Sequence, residues 1–363
     1  MIAALPLHLD SPSGGRLTLR RAWPRSPDHL LLEFHDADAT AVAGQWFSDP
    51  ARCTSVAAAT GDPAHAVIGA GVLVQPAGAD RRLPALADLV RREGATLLSH
   101  RPERRAVIRL RHGQDTYVKV VRPGHAPAIA AAADRAAALA GDSLRVARPL
   151  RCDEELSVVE FSELEGRTAL EIGTGATADQ LRLVWSSVGT AVRRLHAGEA
   201  AGLPAHTAAE EAQLTRRWLG LASAYRVLPD ADVEKALLTL TAGAPGPTGL
   251  LHRDLHDKQL LIAPGDSRAG IIDVDTLAVG ELALDIANLL VHLELRGRQG
   301  LLSADGVRAS GAAFLEALRP DPDTVRRIPA YAAAPRLRLA AVYAFRPQWA
   351  VVARDLLAAS RRP

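Results

Sequence analysis

The sequence predicts an α+β protein in which a β-rich small lobe is followed by a mainly helical large lobe. Short apolar runs separated by turn residues fill the first half of the chain, and long segments with helical apolar spacing fill the second half. The length of 363 residues and the hydrophobic content of 48% allow two or three domains with cores of their own. We expect a β-rich accessory domain at residues 1–92, the small lobe at 93–165 and the helical lobe at 166–363.

Composition excludes several classes of protein. The 43 basic and 41 acidic residues nearly balance and form no basic tract, which argues against nucleic acid as a partner. No run of about 18 apolar residues predicts a membrane span, and the N-terminus lacks the basic start of a secretion signal. Cys53 and Cys152 form no disulfide or zinc pattern. We expect a soluble cytoplasmic protein, and no feature of the sequence indicates its oligomeric state.

The first 92 residues are predicted to be mainly strands. The runs LTLRRAW, HLLLEF and AVAGQWF are separated by turn residues, and AVIGAGVLVQ at 66–75 is a further strand candidate. Residues 83–93 have the apolar spacing of a helix. No motif in this part of the chain indicates a function.

Residues 94–165 are predicted to form five strands with one helix after the third. ATLLSH, AVIRLRH and TYVKVV form an antiparallel meander, the Ala-rich segment 127–140 a helix, and RVARPLRC and SVVEFSELEG two more strands. Beyond them, one apolar face and a terminating Gly198 predict a helix at 176–199. We expect further helices at about 207–225, 285–296, 306–318 and 336–360.

The stretch LLHRDLHDKQLLI at 250–262 places seven polar residues between two apolar runs, more than a surface turn needs. The apolar run at 260–263, the turn residues at 264–269 and the apolar run at 270–272 predict a hairpin centred on Asp266. Such a hairpin pairs position 259 with position 273, so Gln259 and Asp273 lie side by side with Asp254 just upstream. Oxygen ligands in this arrangement suit Mg²⁺.

These segments resemble a known family. HRDLHDKQ is similar to the H-x-D-x-x-x-x-N catalytic loop of the kinase superfamily, and IIDVD to its metal-binding strand end. Together with Gly280, Glu281 and Asp285, they resemble the aminoglycoside phosphotransferase-like small-molecule kinases over residues 94 to about 295. Gln259, where Asn is commoner, and the preceding domain are features shared with maltokinase-type sugar kinases. The resemblance implies a two-lobed protein-kinase-like fold.

The resemblance also implies roles for individual residues. Asp254 would accept or orient the proton of the acceptor hydroxyl, and Gln259 and Asp273 would hold Mg²⁺. Lys119 would contact the α- and β-phosphates of ATP, with GTP as the alternative donor. Phosphoryl transfer depends on such positioning and charge neutralisation. The adenine would meet the backbone of a hinge formed by Glu160, Phe161, Ser162 and Leu164.

Other residues have two interpretations or a supporting role. His252 and Asp285 would support the loop from beneath, although Asp285 could also be a plain helix N-cap. Lys258 would meet the γ-phosphate or solvate the loop. Asp134 is the one acid in the helix after Lys119, so we expect it to pair with that lysine. His256 and Asp257 receive no role.

The acceptor is predicted to be a small molecule. The eleven residues between Asp273 and Asp285 leave no room for a peptide-docking segment. The C-terminal segment carries six arginines against Asp355 alone, which is a poor wall for a polycationic aminoglycoside. The arginines are Arg336, Arg338, Arg346, Arg354, Arg361 and Arg362.

Aromatic residues give a weaker indication of the acceptor. Tyr331, Tyr343, Phe345 and Trp349 could stack on a sugar or belong to the core. We expect a sugar or related neutral metabolite first and an antibiotic such as an aminoglycoside second. A nucleotide-binding pseudokinase is the alternative of another class, but it would lack the base or a metal ligand, and Asp254 and Asp273 are both present.

Overall fold

The first sheet of the protein has six antiparallel strands in the order β1-β2-β3-β4-β6-β5. The computed structural model describes residues 5–11, 14–60, 66–69, 71–230 and 233–360. The strands are β1 (His8–Asp10), β2 (Arg16–Ser26), β3 (His29–His35), β4 (Ala41–Phe47), β5 (Ala66–Ile68) and β6 (Val72–Gln75), and helix α1 (Pro50–Thr60) follows β4. The three predicted strands at 16–49 are confirmed.

The predicted strand at 66–75 is a hairpin of two strands instead. Gly69 and Gly71 both adopt positive φ, a conformation that strand residues do not take. Helix α1 was not predicted. The sequence signal for this helix lies at its N-terminus, where Pro50 is the first helical residue and the carboxylate of Asp49 accepts the Ala51 N–H at 2.9 Å.

The small lobe is a five-stranded antiparallel sheet in the order β11-β12-β9-β8-β7. The predicted number of strands and the meander of the first three are confirmed. Its elements are α2 (Leu86–Val90), β7 (Ala95–Arg101), β8 (Arg105–His112), β9 (Gln114–Val121), α3 (Ala126–Ala137), β10 (Leu144–Val146), β11 (Pro149–Asp153) and β12 (Val158–Ser162). Strand β10 lies outside this sheet and pairs with a strand of the large lobe. Alternate residues of β8 and β9 are buried against α2, and on the other face of the sheet Val121 and Val159 pack against α3.

The large lobe is mainly helical, as predicted. Its first elements are β13 (Arg167–Thr168), α4 (Ala169–Gly173), α5 (Ala178–His196), α6 (Ala208–Ala224), α7 (Glu234–Ala242), β14 (Thr248–Leu251), β15 (Leu260–Ile262), β16 (Ala269–Ile271) and β17 (Ala278–Glu281). The last four helices are α8 (Ala283–Arg298), α9 (Ala304–Leu318), α10 (Pro322–Ala344) and α11 (Ala350–Ala359). No helix in the described ranges has both the length and the apolar character that crossing a membrane requires.

The C-terminal helix predicted at 336–360 is two helices, and the first begins earlier. Asp321 caps α10 by accepting the N–H groups of Asp323 and Thr324. The predicted start was too late because Pro329 and Pro335, which usually end a helix, lie inside α10. Pro347 then opens the short break before α11.

The hairpin of β15 and β16 forms, but its register differs by one residue from the prediction. Leu260 pairs with Ile271, and the Ile272 N–H donates to the Gln259 carbonyl at 3.0 Å. Position 259 therefore lies opposite 272 rather than 273. Asp273 has a left-handed φ of 62° and leaves the strand, so its side chain is aimed by a turn instead of by the ladder.

The first sheet packs directly on the helical lobe, with which it shares one apolar core. Tyr225 of that lobe makes edge contacts with Trp46 of β4 and with Phe345, at centroid distances of 6.0 and 5.6 Å. Its hydroxyl donates to the Ser26 carbonyl at 2.8 Å, and the Ala22 N–H donates to the Phe345 carbonyl at 2.8 Å. The first sheet is thus fixed beside the opening between the two lobes.

Candidate active site

A cleft of about 840 Å³ lies between the small and large lobes, and the first sheet forms part of its wall. It brings together most of the residues that the sequence singled out. Those that line it are Lys119, Phe161, Ser162, Leu164, Asp254, Lys258, Gln259 and Asp273. His252 and Asp285 lie fully buried beneath it, and Glu160 and Asp134 lie outside it.

The loop that carries Asp254 is held from below by Asp285. The two carboxylate oxygens accept the backbone N–H groups of His252 at 2.7 Å and Arg253 at 2.8 Å. His196 contacts the same carboxylate at 3.3 Å. Burial by itself raises the pKa of Asp285, but these donors lower it below its usual value, so the group stays ionised. The N-cap interpretation of Asp285 is wrong, since Leu282 occupies that position.

Helix α8 continues this support with a row of buried polar residues. Asn288 donates to the Leu255 carbonyl at 2.8 Å, and Arg296 forms a buried bidentate pair with Asp257 at 2.6 and 2.8 Å. Although burial lowers the pKa of Arg296, Asp257 raises it above its usual value. The sequence contained a signal that we missed, because positions 285, 288, 292 and 296 lie on one face of a helix that is largely apolar.

Lys119 lies on β9 and reaches two carboxylates of the large lobe. Its Nζ is 2.9 Å from Asp273 and 2.7 and 2.6 Å from the two oxygens of Asp275. Burial raises the pKa of Asp273, but Lys119 and Arg105 hold it well below its usual range. Asp275 was not identified from the sequence, although two aspartates two residues apart in IIDVD were a visible signal.

The predicted pair between Lys119 and Asp134 is not formed. The buried face of α3 consists of alanines, among them Ala130 and Ala133, and Asp134 is exposed. One residue along a helix turns the side chain by about 100°, which directs Asp134 away from the sheet. Asp275 supplies the partner instead.

Of the four residues of the expected hinge, Phe161, Ser162 and Leu164 line the cleft, whereas Glu160 does not. The Glu160 side chain accepts from Thr116 Oγ1 at 2.8 Å, outside the cleft. Its backbone lies inside the sheet, paired with β9 and β11. Leu164 borders the cleft above β16, where Gly270 gives it room because a Cβ there would lie 2.7 Å from the Leu164 side chain.

Gln259 carries an oxygen without a partner. Its side chain is buried and its Oε1 has no hydrogen-bond partner, whereas its Nε2 lies 3.4 Å from Asp273 Oδ2. Within the described residues, no three His, Cys, Asp or Glu side chains gather as a metal site. One amide oxygen beside one carboxylate therefore fits Mg²⁺, which takes few protein ligands and keeps waters or phosphate oxygens.

The far end of the cleft is rich in basic and aromatic groups. Of the four aromatic residues that could have stacked on a sugar, Tyr343 lines the cleft. Tyr331 and Phe345 belong to the hydrophobic core, and Trp349 packs against that core. The other side chains at this end are Trp218, His256, Lys258, His292, Arg338 and Arg346. Burial lowers the pKa of Lys258 and of His256.

The first sheet contributes two residues that the sequence did not indicate. Trp23 of β2 lies between two guanidinium groups, those of Arg21 at 4.5 Å and Arg101 at 4.4 Å from the ring centroid. All three line the cleft. Stacked arginines of this kind are held in place by the ring, so the first sheet forms a fixed wall of the site.

Comparison with known proteins gives a family and a fold. Residues 94–327 match the model of the phosphotransferase enzyme family. Aminoglycoside phosphotransferase APH(3'')-Id from Streptomyces rimosus is 22% identical and has a TM-score of 0.51, with 72% of this chain and 98% of that chain covered. A glucosamine kinase is 23% identical over 100% of this chain and 97% of that chain, with a TM-score of 0.47. No curated protein sequence matches significantly.

Proposed function

The chain belongs to the phosphotransferase enzyme family, and from this premise we propose that it transfers a phosphoryl group from ATP, with Mg²⁺, to a sugar or related neutral metabolite. As a member of that family it is a small-molecule phosphotransferase acting on a hydroxyl group. The observation that carries the ATP- and Mg²⁺-dependent part of this proposal is the buried Gln259 side chain, whose oxygen lacks a hydrogen-bond partner and whose Nε2 lies 3.4 Å from Asp273, in one cleft with Lys119 and Asp254. A protein of the same fold, APH(3'')-Id, has been solved with ADP and streptomycin.

In this proposal, each residue of the cleft has a separate role in phosphoryl transfer. Lys119 positions phosphate oxygens from the small lobe, and Gln259 and Asp273 would hold Mg²⁺ below them. The ion supplies positive charge to the phosphate oxygens when bound. Asp254 orients the acceptor hydroxyl and takes its proton, since it lines the cleft on a loop whose backbone is fixed by Asp285.

Asp275 is proposed to hold Lys119 in position. Its two oxygens make short contacts with Nζ, and they take the role that was expected of an acid on helix α3. Because Lys119 is also 2.9 Å from Asp273, the lysine lies next to the proposed metal ligands. In this proposal the phosphate contact and the metal site lie side by side, as charge neutralisation of one phosphate chain requires.

We expect Gln259→Ala to raise the Mg²⁺ concentration for half-maximal activity at least about tenfold, by analogy with the loss on removing a metal-orienting group. The variant removes the one buried oxygen in the site that lacks a hydrogen-bond partner. Initial rates across a Mg²⁺ series measure the effect. Gln213→Ala, on the exposed face of α6, is the matched control. An unchanged Mg²⁺ requirement would exclude Gln259 as a ligand.

The charge of the cleft favours a neutral acceptor over a polycationic one. Its lining carboxylates are Asp254, Asp273 and Asp275, and the last two already contact Lys119. The far end presents Arg346 and Lys258 instead, together with Arg338, which pairs with Glu211 at 3.4 Å. A polycationic antibiotic would be repelled there, whereas Trp218 and Tyr343 offer apolar faces to a sugar ring.

An acceptor panel tests the proposal. We expect ADP release from ATP and Mg²⁺ to depend on neutral sugars or similar polyols, and not on aminoglycosides. With Lys119→Ala, the same panel should show a greatly reduced rate of ADP release. Preferred phosphorylation of aminoglycosides would overturn the acceptor class and leave the kinase in place. ATP binding without turnover on any acceptor would favour the pseudokinase.

A further inference from the structure

A second cavity, of about 260 Å³, lies where the first sheet meets the turn between β7 and β8. It shares no lining residue with the catalytic cleft. Its wall is dominated by arginines from five separate parts of the chain. They are Arg25, Arg52, Arg81, Arg82, Arg104 and Arg122.

The positive charge of this cavity is only partly neutralised. Glu103 is the one carboxylate in its lining, and it pairs with both Arg81 at 2.6 Å and Arg82 at 3.5 Å. Arg52 pairs with Asp28 at 3.0 Å. Within the described residues, Arg25 and Arg104 make no hydrogen bond or ion pair with any side chain. Six guanidinium groups therefore face two carboxylates.

Burial and the surrounding arginines both disfavour the charged forms of Arg25 and Arg104. Burial and then Arg217 and Arg122 lower the pKa of Arg25. Burial, followed by Arg25 and Arg122, lowers the pKa of Arg104 to about 10. Like charges brought together in a partly buried cavity are destabilising unless an anion lies between them.

The cavity has a fixed floor. His29, only 6% exposed, lines it and bonds to Gln45 at 2.8 Å, and its ring stacks on Phe47 at 4.4 Å. Burial lowers the pKa of His29, which favours its neutral form. Beside it, the Glu103 N–H donates to buried Asp80 at 2.7 Å, which anchors the turn between β7 and β8.

We propose that this cavity binds a compact anion carrying phosphate groups, outside the catalytic cleft. The planar guanidinium forks of Arg25 and Arg104 match phosphate oxygens in pairs. The volume is below the range of about 300–1,000 Å³ usual for drug-sized ligands, which selects a small ligand such as pyrophosphate or a phosphorylated sugar. The cavity adjoins the turn between β7 and β8, and the two ends of that turn, Arg101 and Arg105, line the catalytic cleft. A ligand bound in the cavity would therefore contact the same turn that borders the nucleotide-binding side of the cleft.

Isothermal titration of the full chain with pyrophosphate, and separately with glucose 6-phosphate, tests the proposal. A chelator excludes metal ions, and sodium chloride keeps the ionic strength constant. We expect at least one probe to bind, and the Arg25→Gln, Arg104→Gln double variant to bind it at least tenfold more weakly. Arg122→Gln serves as a second, milder variant. Pyrophosphate alone identifies a polyphosphate site, whereas glucose 6-phosphate identifies a phosphomonoester site.

Two control variants separate this site from other sources of binding. Arg20→Gln removes the same charge from an exposed position on β2, and Lys119→Ala disables the catalytic cleft. Both should retain the binding of the parent. The proposal is overturned if neither probe binds. It is also overturned if Arg20→Gln weakens binding as much as the double variant does, or if only Lys119→Ala weakens it. Since the parent's kinase activity is measured separately, failure here leaves the proposed function untouched.

Discussion

Replacing Asp254 by Asn is expected to lower kcat by about 10²–10⁴-fold, the usual contribution of a general base. Asparagine keeps the size of the side chain but takes no proton. The loop should keep its shape, because its backbone is held by Asp285 and Asn288 rather than by Asp254 itself. Single-turnover and steady-state ADP release measure the effect, and ATP binding should be unchanged.

Asp355→Asn is the matched control for this prediction, since it makes the same chemical change at an exposed position of α11. Its activity should equal that of the parent. If Asp254→Asn keeps activity within about tenfold, the proton must be taken by another group. A joint loss of turnover and ATP binding would instead indicate that the variant disturbs the whole cleft.

Asp257→Ala is expected to reduce the free energy of unfolding of the large lobe by about 3–5 kcal/mol. The reason is that it leaves the Arg296 guanidinium, 2% exposed, buried without its carboxylate. The exposed pair of Arg326 and Asp323, at 2.6 Å, provides the comparison. Asp323→Ala should cost less than about 1 kcal/mol. Urea denaturation of each variant measures the difference.

The double variant Asp257→Leu with Arg296→Met distinguishes a lost ion pair from a lost side chain. Removing both charges avoids the uncompensated buried cation, so we expect the double variant to be more stable than Asp257→Ala. A double variant less stable than the single one would show that the hydrogen bonds of Arg296 to Gln299 and Tyr343 dominate instead.

Much of the site could be predicted from the sequence because its chemistry is concentrated in short segments. The loop with Asp254 and Gln259 and the strand end with Asp273 lie within about two dozen residues, where spacing and hairpin geometry are local properties. Even so, the register was off by one residue, because the left-handed turn at Asp273 is not a strand conformation. The lobes were predictable for the same reason, since apolar periodicity is also local.

The sequence by itself determined the α+β class, the antiparallel meander that opens the small lobe and the polar loop at 252–259 as the candidate site. Only the tertiary structure decided that Lys119 pairs with Asp275 and not with Asp134, a contact across 156 positions of the chain. It also decided that Arg296 stabilises Asp257, and that Arg21 and Trp23 of the first sheet line the cleft. The physical reason is that such contacts depend on which elements pack together and on which face of each is buried, and neither is encoded in local spacing.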